Sequence, residues 1–512
     1  MQFDKILYDY CKTDAQRRAL EAIEECGSCE LADEALGRQR SYSSSMLVRV
    51  RGYAQAAGRA VEFAERQLVN PKRINPLKHK TRRFIFTSAQ DESLVHDGFL
   101  DALETYAEWL GDCRIMIAGV TYNKSVWQEG QSKPTAKRED PAFFAERIRP
   151  YLVWDRIDIG KNLAFCGETN TIPTTANPLS GAEPYTRDRW GIFPHAKQHL
   201  QCVATAKESP TKQLFTTGSV TRPNYVQRKA GILAEFHHVI GALIVEVTSD
   251  DRVFVRQLST SKDGDGTFYD LTRKVTPGGV VDGEPVTALN PGDIHHEKID
   301  PQVMHATFGA GGVMDALEPA HTFMHDLSDF APRNHHNIKD PHFIFEQHQQ
   351  GTDDVENALA GCAAFLGNVA EDAASGWGGL VHVVQSNHDN ALLRWLKTAD
   401  YRDDPQNAKF FLRSQLYCYE RLSEGLSVDV FEHTMRTLAN ECGLMDVFNF
   451  ISEDESFTLD GNEYGMHGHL GANGARGNPK TFAKVGKKST TGHTHTPQII
   501  GGAYVAGTSS LL

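Results

Sequence analysis

The chain has 512 residues, 40% of them apolar and 23% charged, with a formal net charge of −13. That length exceeds one hydrophobic core and predicts about three domains, while the composition excludes a disordered or collagen-like chain. The negative balance argues against a protein that coats nucleic acid over its whole surface, and no apolar run approaches the ~18 residues that a membrane-spanning helix needs.

Met1–Tyr10 carries Asp4, Lys5 and Asp9 where a secretory signal would be basic and then apolar, so a cytoplasmic protein without membrane insertion is expected. The nine cysteines form no repeating framework. Cys26 and Cys29 make a lone CxxC, read as reduced structural thiols.

Residues 1–70 read as a helical head. Thr13 and Asp14 cap a first helix whose Ala19, Leu20, Ala22 and Ile23 share one face, and Gly27 ends it. A second helix is predicted over about Glu30–Leu36, with Leu31, Ala32 and Ala35 inward and Gly37 making the turn. A third, over about Ser41–Ala54, buries Met46, Leu47, Val50 and Tyr53 and exposes Ser43, Ser44, Arg49 and Arg51. Two helices, a glycine turn and a basic third helix match the helix-turn-helix pattern. The stretch ELADEALGRQRSYSSSMLVRVRGYA resembles the small DNA-binding heads of phage and transposase proteins, which makes Arg38, Arg40, Ser44, Arg49 and Arg51 candidate DNA contacts. The bland alternative is a three-helix packing module. From Arg38 to Arg83 twelve Lys or Arg face only Glu62 and Glu65, and 71–80 reads as a basic linker inside that stretch.

The region 81–283 reads as mixed α/β. Arg83–Thr87 and Arg114–Val120 are strand candidates on either side of a helix over Ser93–Leu110, a βαβ-like opening. From about Trp127 to Gly181 turn residues dominate. Gly231–Thr248 and Val253–Leu258 follow as strands, with a hairpin loop at Asp263–Gly266. The pairs His237/His238 and Cys166/Glu168 read as satisfied structural residues, and no motif in this region translates into chemistry.

Sixteen of the 22 histidines lie after residue 290. The region 284–512 alternates strands and helices, as a layered α/β sandwich does, and five polar motifs follow its strands. They are Gly292-Asp293-Ile294-His295, His325-Asp326-Leu327-Ser328-Asp329, Ser386-Asn387-His388-Asp389, Met466-His467-Gly468-His469 and Gly492-His493-Thr494-His495. Oxygen and imidazole donors without cysteine suit Mn²⁺, Fe or Zn in a mixed site and fit a structural zinc site poorly. In Asp-x-His and His-x-His, alternate residues of an extended segment face the same way, so each pair can meet one ion. Seven donors are too many for one tetrahedral ion and suit two ions sharing a carboxylate, a pair that can clamp a phosphate and activate water.

The order D-x-H, D-x-x-D, N-H-D, H, G-H-x-H resembles the calcineurin-like metallophosphoesterase superfamily over residues 284–512. The resemblance implies a C-terminal layered α/β/α metallophosphoesterase sandwich holding two divalent ions, with Mn²⁺ expected. It implies that Asp293, His295 and His495 hold one metal, that Asn387, His467 and His493 hold the other, and that Asp326 bridges both. His388 matches the histidine that contacts the scissile phosphate and protonates the leaving oxygen. His325 and Ser386 depart from the pattern, since glycine usually opens those motifs. Of His467 and His469, the first is expected to be the ligand. Arg333 and Arg476 are weaker candidates for phosphate contact, each with a solvated loop as the alternative.

A metallophosphoesterase site does not choose its own substrate. A basic helix-turn-helix head joined to it is useful to a nuclease, so the whole resembles a DNA phosphodiesterase with the active-site logic of the SbcD-type nucleases. The order of head, TSAQ strand, GDIH, HDLSDF, NHDNAL, HGHLGANGARG and GHTHTP also resembles the pre-early proteins of T-five-like coliphages, associated with host-DNA degradation and DNA transfer. That resemblance implies an enzyme of the infected bacterial cytoplasm acting on double-stranded DNA, a homo-oligomer, and a phage protein as a further candidate partner. The competing readings are a phosphoprotein or nucleotide phosphatase with a docking head, and a catalytically inert DNA-binding or DNA-transfer protein.

Overall fold

The computed structural model describes residues 5–26, 29–39, 41–56, 73–75, 80–122, 144–206, 209–334, 337, 340–445, 447–453, 455–471 and 474–511. Arg40 and most of the stretch 71–80 lie outside them. The chain divides into two compact units, Met1–Glu284 and Pro285–Leu512. Among the described residues no helix is long and apolar enough to cross a membrane.

The first unit begins with the helices Asp14–Cys26, Cys29–Ala35 and Tyr42–Ala56. Thr13 and Gln16 close a reciprocal cap on the first, because the Gln16 N–H donates to Thr13 Oγ1 (3.2 Å) while Gln16 Oε1 accepts from the Lys12 and Thr13 N–H groups. Leu20, Ile23, Ala32, Leu47 and Val50 are buried together. Two sequence expectations need correction here. Leu31 and Ala35 face solvent, and Asp33 is inward beside Ala32 in the second helix, its Oδ1 accepting the Ser43 N–H at 2.6 Å. Ser43 and Arg51 are likewise buried, because Leu47, Val50, Arg51 and Ala54 form the inward i, i+3, i+4, i+7 stripe of the third helix.

The rest of this unit is built on a five-stranded sheet whose central strand is Arg82–Gln90. That strand pairs in parallel with Cys113–Val120 across the helix Asp97–Leu110, and antiparallel with Ile240–Val247, which pairs in turn with Val253–Thr260. Phe84, Phe86, Leu243 and Val245 pack on one face against Ile157, Phe165 and Ile192 from a second group of strands. In that group Arg156–Ile159 and Leu163–Cys166 are a hairpin inside the stretch read as turns. Gly231–Thr248 is also not wholly extended: Lys229–Phe236 is a helix, and the strand begins at Ile240. A short apolar run does not distinguish the two, and here the break at His237 separates them. Asp263–Gly266 links two different sheets and closes no hairpin.

In the second unit, Ala288–Leu289, His321–His325, Leu380–Val384 and Phe448–Ile451 form an all-parallel sheet. Helices including Val355–Gly376 and Val430–Glu441 pack with it in the largest core, where Met324, Leu366, Val383, Met435 and Phe448 meet. Phe323, Val384 and Ile451 pack separately with Phe457, Leu459 and Tyr464. A second group of strands, Asn462–Glu463, Lys488–Thr491 and Ala503–Val505, runs parallel. The unit is thus layered α/β. Loops leaving the carboxyl ends of its strands carry the polar motifs, the position where open α/β sheets place their ligands.

Candidate metal centre

Three of the expected ligands sit in strained backbone. His295, Asp326 and His493 have φ of 43°, 42° and 65°, a left-handed conformation that non-glycine residues seldom adopt. Such outliers persist where the surroundings over-determine them and concentrate at functional sites. Two backbone bonds tie two of these turns together, since the His295 N–H donates to the Asp326 carbonyl (2.8 Å) and the Ile294 N–H to the His325 carbonyl (2.9 Å). Glycine is needed beside them for space. A Cβ on Gly492 would lie 2.1 Å from Asp293 Oδ1, and one on Gly292 would lie 2.4 Å from the Gly507 carbonyl oxygen.

The donor atoms of Asp293, His295, Asp326 and His495 all lie within 4.8 Å of one another, so these groups could hold a metal ion. His295 Nε2 is 3.2 Å from His495 Nε2 and 3.7 Å from Asp326 Oδ2, and His495 Nε2 is 3.4 Å from Asp293 Oδ2. On the other side of Asp326, His467 Nε2 is 3.4 Å from Asp326 Oδ2 and 3.1 Å from Asn387 Oδ1, which is 3.1 Å from His493 Nδ1. Ligands bound to one ion at ~2.1 Å stand ~3 Å apart, so these spacings match those of donors around a shared cation. His467 faces the cluster, whereas His469 is turned to Glu453 at 3.1 Å.

The electrostatics also fit a cation. Asp293 is fully buried, and its Oδ2 accepts no hydrogen bond among the described residues. Burial and then the charge of Asp326 push its carboxyl up to about 7. Burial acts the same way on Asp326, but His467 alongside pulls it well below the usual carboxylate range. Two buried carboxylates facing one space are costly without positive charge between them, and a divalent ion supplies it.

His388 lies at the edge of this cluster. Its ring centre is 4.7 Å from that of His295, its N–H donates to Asp326 Oδ1 at 3.4 Å, and burial holds its imidazole below the ordinary value. A residue not singled out from sequence, Asp329, is central here. Its Oδ1 is 3.3 Å from His295 Nδ1 and 3.6 Å from His388 Nδ1, and Lys298 Nζ sits 2.9 Å from its Oδ2. Asp329 can therefore orient a ligand and its neighbour at once, the usual task of a carboxylate behind a metal-bound imidazole. The second aspartate of D-x-x-D was the available signal. Glu297 fixes its loop by accepting from the Ser328 hydroxyl (2.8 Å) and from the Asp329 and Phe330 N–H groups (2.8 and 3.1 Å).

Where glycine was expected, His325 is buried with Nε2 3.1 Å from Asn290 Nδ2, and Ser386 closes its turn through a 2.7 Å hydroxyl bond to Asp389. Arg333 is not available for phosphate. Its Nε and one terminal nitrogen grip Asp404 at 2.6 Å each, and the other terminal nitrogen donates to the Pro332 carbonyl. Arg476 is exposed; burial is the main cause that lowers the His493 imidazole to about 4, and the charges of His467 and Arg476 act the same way.

Of the candidate DNA contacts, Arg38 is exposed over the Tyr42 ring and Arg49 is exposed, while Arg40 lies outside the described residues. The Ser44 hydroxyl donates to the Ser41 carbonyl at 3.1 Å. Arg51 is an ion-pair partner of Glu92 and is not presented to solvent, which corrects its assignment as a DNA contact.

Compared with known proteins, the chain is 38% identical to Protein A1 of Escherichia phage T5 over 448 residues, which span 84% of this chain and 76% of that protein. No protein-family model matches the chain, and no solved structure matches it.

Proposed function

The chain belongs to the family of Protein A1 of Escherichia phage T5, and from that membership and the donor cluster we propose that it is a metal-dependent DNA phosphodiesterase of the infected bacterial cytoplasm. The observation that carries the reading is the convergence of Asp293, His295, Asp326 and His495 on one side, and of Asn387, His467 and His493 on the other side of Asp326. Two divalent cations held there, Mn²⁺ by donor chemistry, would neutralise a phosphodiester and acidify its attacking water.

The chain's own groups position and move protons. Asp329 Oδ1 lies 3.6 Å from His388 Nδ1 and would orient the ring from that side, leaving Nε2 as the nitrogen for substrate. Burial keeps His388 largely neutral near pH 7, and a phosphate arriving beside it favours the imidazolium. That is the form which can protonate the leaving sugar oxygen. Arg476 is an exposed cation whose charge reaches His493 and would meet a flanking phosphate. In the head, Arg38 and Arg49, with Arg40 beside them in sequence, would neutralise backbone phosphates and keep the enzyme on double-stranded DNA while it cuts.

The test is incubation of the purified chain with circular and linear double-stranded DNA, in Mn²⁺ or EDTA, beside Asp326→Ala. Metal-dependent loss of both forms, abolished by the substitution, is the expected result and identifies an endonuclease. Loss of linear DNA alone identifies an end-dependent enzyme. Turnover of a chromogenic phosphomonoester with both DNA forms intact replaces this reading with a phosphatase.

A further inference from the structure

The loop that carries Asp293 is held by a particular set of backbone bonds. The Asp293 N–H donates to the Gly507 carbonyl (2.9 Å), and the Ser509 N–H returns to the Asp293 carbonyl (2.9 Å). The N–H of Asp300, which caps the next helix, donates to Ser509 (3.1 Å), and the Leu511 N–H donates to Lys298 (2.9 Å). The first unit repeats the set. The Ser88 N–H donates to Gly218 (3.2 Å), Val220 to Ser88 (2.8 Å), the helix-capping His96 to Val220 (2.9 Å), and Arg222 to Leu94 (2.7 Å). Gly507 and Gly218 both take positive φ, 95° and 79°.

The strands around the loop repeat as well. Thr491 opposes Val505 in a parallel pair, and the Ala506 N–H donates to the Thr491 carbonyl (3.3 Å). Phe193 opposes Thr216 in a parallel pair, and the Thr217 N–H donates to the Phe193 carbonyl (3.2 Å). Asp293 neighbours His325 in parallel, as Ser88 neighbours Ala118. The one departure is a single extra residue between Ser88 and the capping His96, eight positions apart where Asp293 and Asp300 are seven apart.

We infer that Arg82–Val247 is a second copy of the scaffold that carries the metal centre, and that in this copy a buried lysine stands at the position of the ligand His495. The shared register puts Ser88 at the position of Asp293, Gln90 at that of His295, and Gly119 at that of Asp326. Two and four residues beyond the matched strand end, His195 stands for His493 and Lys197 for His495. Only one of these five ligand positions keeps a residue that binds metal well.

Lys197 is buried, its Nζ donates to the Thr175 carbonyl at 2.6 Å, and no carboxylate pairs with it among the described residues. An ammonium there repels a second cation. His195 is fully buried with Nδ1 accepting the Lys197 N–H (3.1 Å), and Ser88 Oγ is spent on the Gly218 carbonyl (2.6 Å). The residues of this copy do not fit a divalent ion, and among the described residues both groups of donors close enough to share one lie in the second unit. The first copy is therefore a metal-free centre, and all metal chemistry belongs to the second.

Metal content decides the matter, and it does so without reading DNA cleavage, so failure of the nuclease proposal leaves it standing. Full-length chain equilibrated with Mn²⁺ and desalted is compared with the triple variant Asp293→Asn/Asp326→Asn/His493→Ala, which removes ligands from both halves of the donor cluster. The variant is expected to fall to background, and retention of about half the wild-type metal would overturn the inference. In the converse arm, Ser88→Asp/Lys197→His recreates an Asp, His, His set and is titrated with Co²⁺. A gain of one cobalt per chain over wild type, with its absorption band, is expected. A variant that melts as wild type does and gains no cobalt would overturn the positional equivalence.

Discussion

The centres of the two units differ chiefly in how positive charge reaches a buried polar space. In the first unit it comes from a covalent part of the chain, Lys197, which burial lowers to about 8. In the second, Asp293 and Asp326 face each other with imidazoles around them and gain from a cation brought from outside. The first arrangement is self-sufficient and static. A cation held in the second would tie local stability to metal and, in the proposed function, offer coordination to substrate, which a lysine cannot do. Similar scaffolds can therefore house a centre that is closed by its own lysine and one whose donors suit a cation, and the donor set decides which.

The largest break in that comparison comes from Asp326→Ala. It removes the carboxylate shared by both halves of the donor cluster, so bound metal should be lost and DNA cleavage should fall by at least ~10³-fold. Retained Mn²⁺ with retained cutting would remove Asp326 from the centre. His388→Ala separates holding metal from using it. Metal content should stay at the wild-type level while turnover falls by ~10²–10⁴-fold. Asp329→Asn, which alters how His295 and His388 are oriented, should cost ~10–100-fold and move the acidic limb of the pH–rate profile. An unchanged profile would leave Asp329 a purely structural residue.

Gly492→Ala tests the packing of the second unit's donor cluster alone. The new Cβ would meet Asp293 Oδ1 at 2.1 Å, so the carboxylate must shift. A destabilisation of ~1–3 kcal/mol in EDTA is expected, with weaker Mn²⁺ binding on top of it. Calorimetry with and without metal separates the two effects, and equal Mn²⁺ affinity in both proteins would show that Asp293 does not depend on that gap.

What the sequence made legible follows the same division. The strand Leu380–Val384 and the helix starting at Asp14 were readable because apolar period and cap residues agree there. The donors of the second unit were readable because their side-chain types are rare together and sit at strand ends. Asp329 is not distinguishable within its motif, since one aspartate among several gives no sign of standing behind a histidine. Arg51 was misplaced because charge was read as exposure, although Leu47, Val50 and Ala54 already defined the buried face. The repeat in the first unit was hidden for a plainer reason: it is kept in backbone bonds from Ser88 to Gly218 and from His96 to Val220, while the chemically conspicuous side chains were exchanged.

A pH dependence is also expected in the first unit, where it can be read apart from the metal centre. Burial pushes His195 and His238 down to about 3 and His199 down to about 4. His238 is held neutral, with Nε2 2.8 Å from the Thr221 carbonyl and Nδ1 2.7 Å from the Tyr225 hydroxyl. The unfolded chain takes up protons near pH 6.5 and the folded unit does not, so acid favours unfolding. The contribution of these rings is whole above pH 6.5 and is lost as pH falls toward 4 and 3. Each ring costs up to about 1.4 kcal/mol per pH unit over that range. Hydrogen exchange of the segment 190–221 at pH 7 and pH 5, corrected for intrinsic rates, should show a smaller opening free energy at pH 5. EDTA at both values keeps metal release in the second unit from contributing. An opening free energy that did not change with pH would mean these histidines are hydrated, and the first centre would then be an accessible pocket instead of a closed polar core.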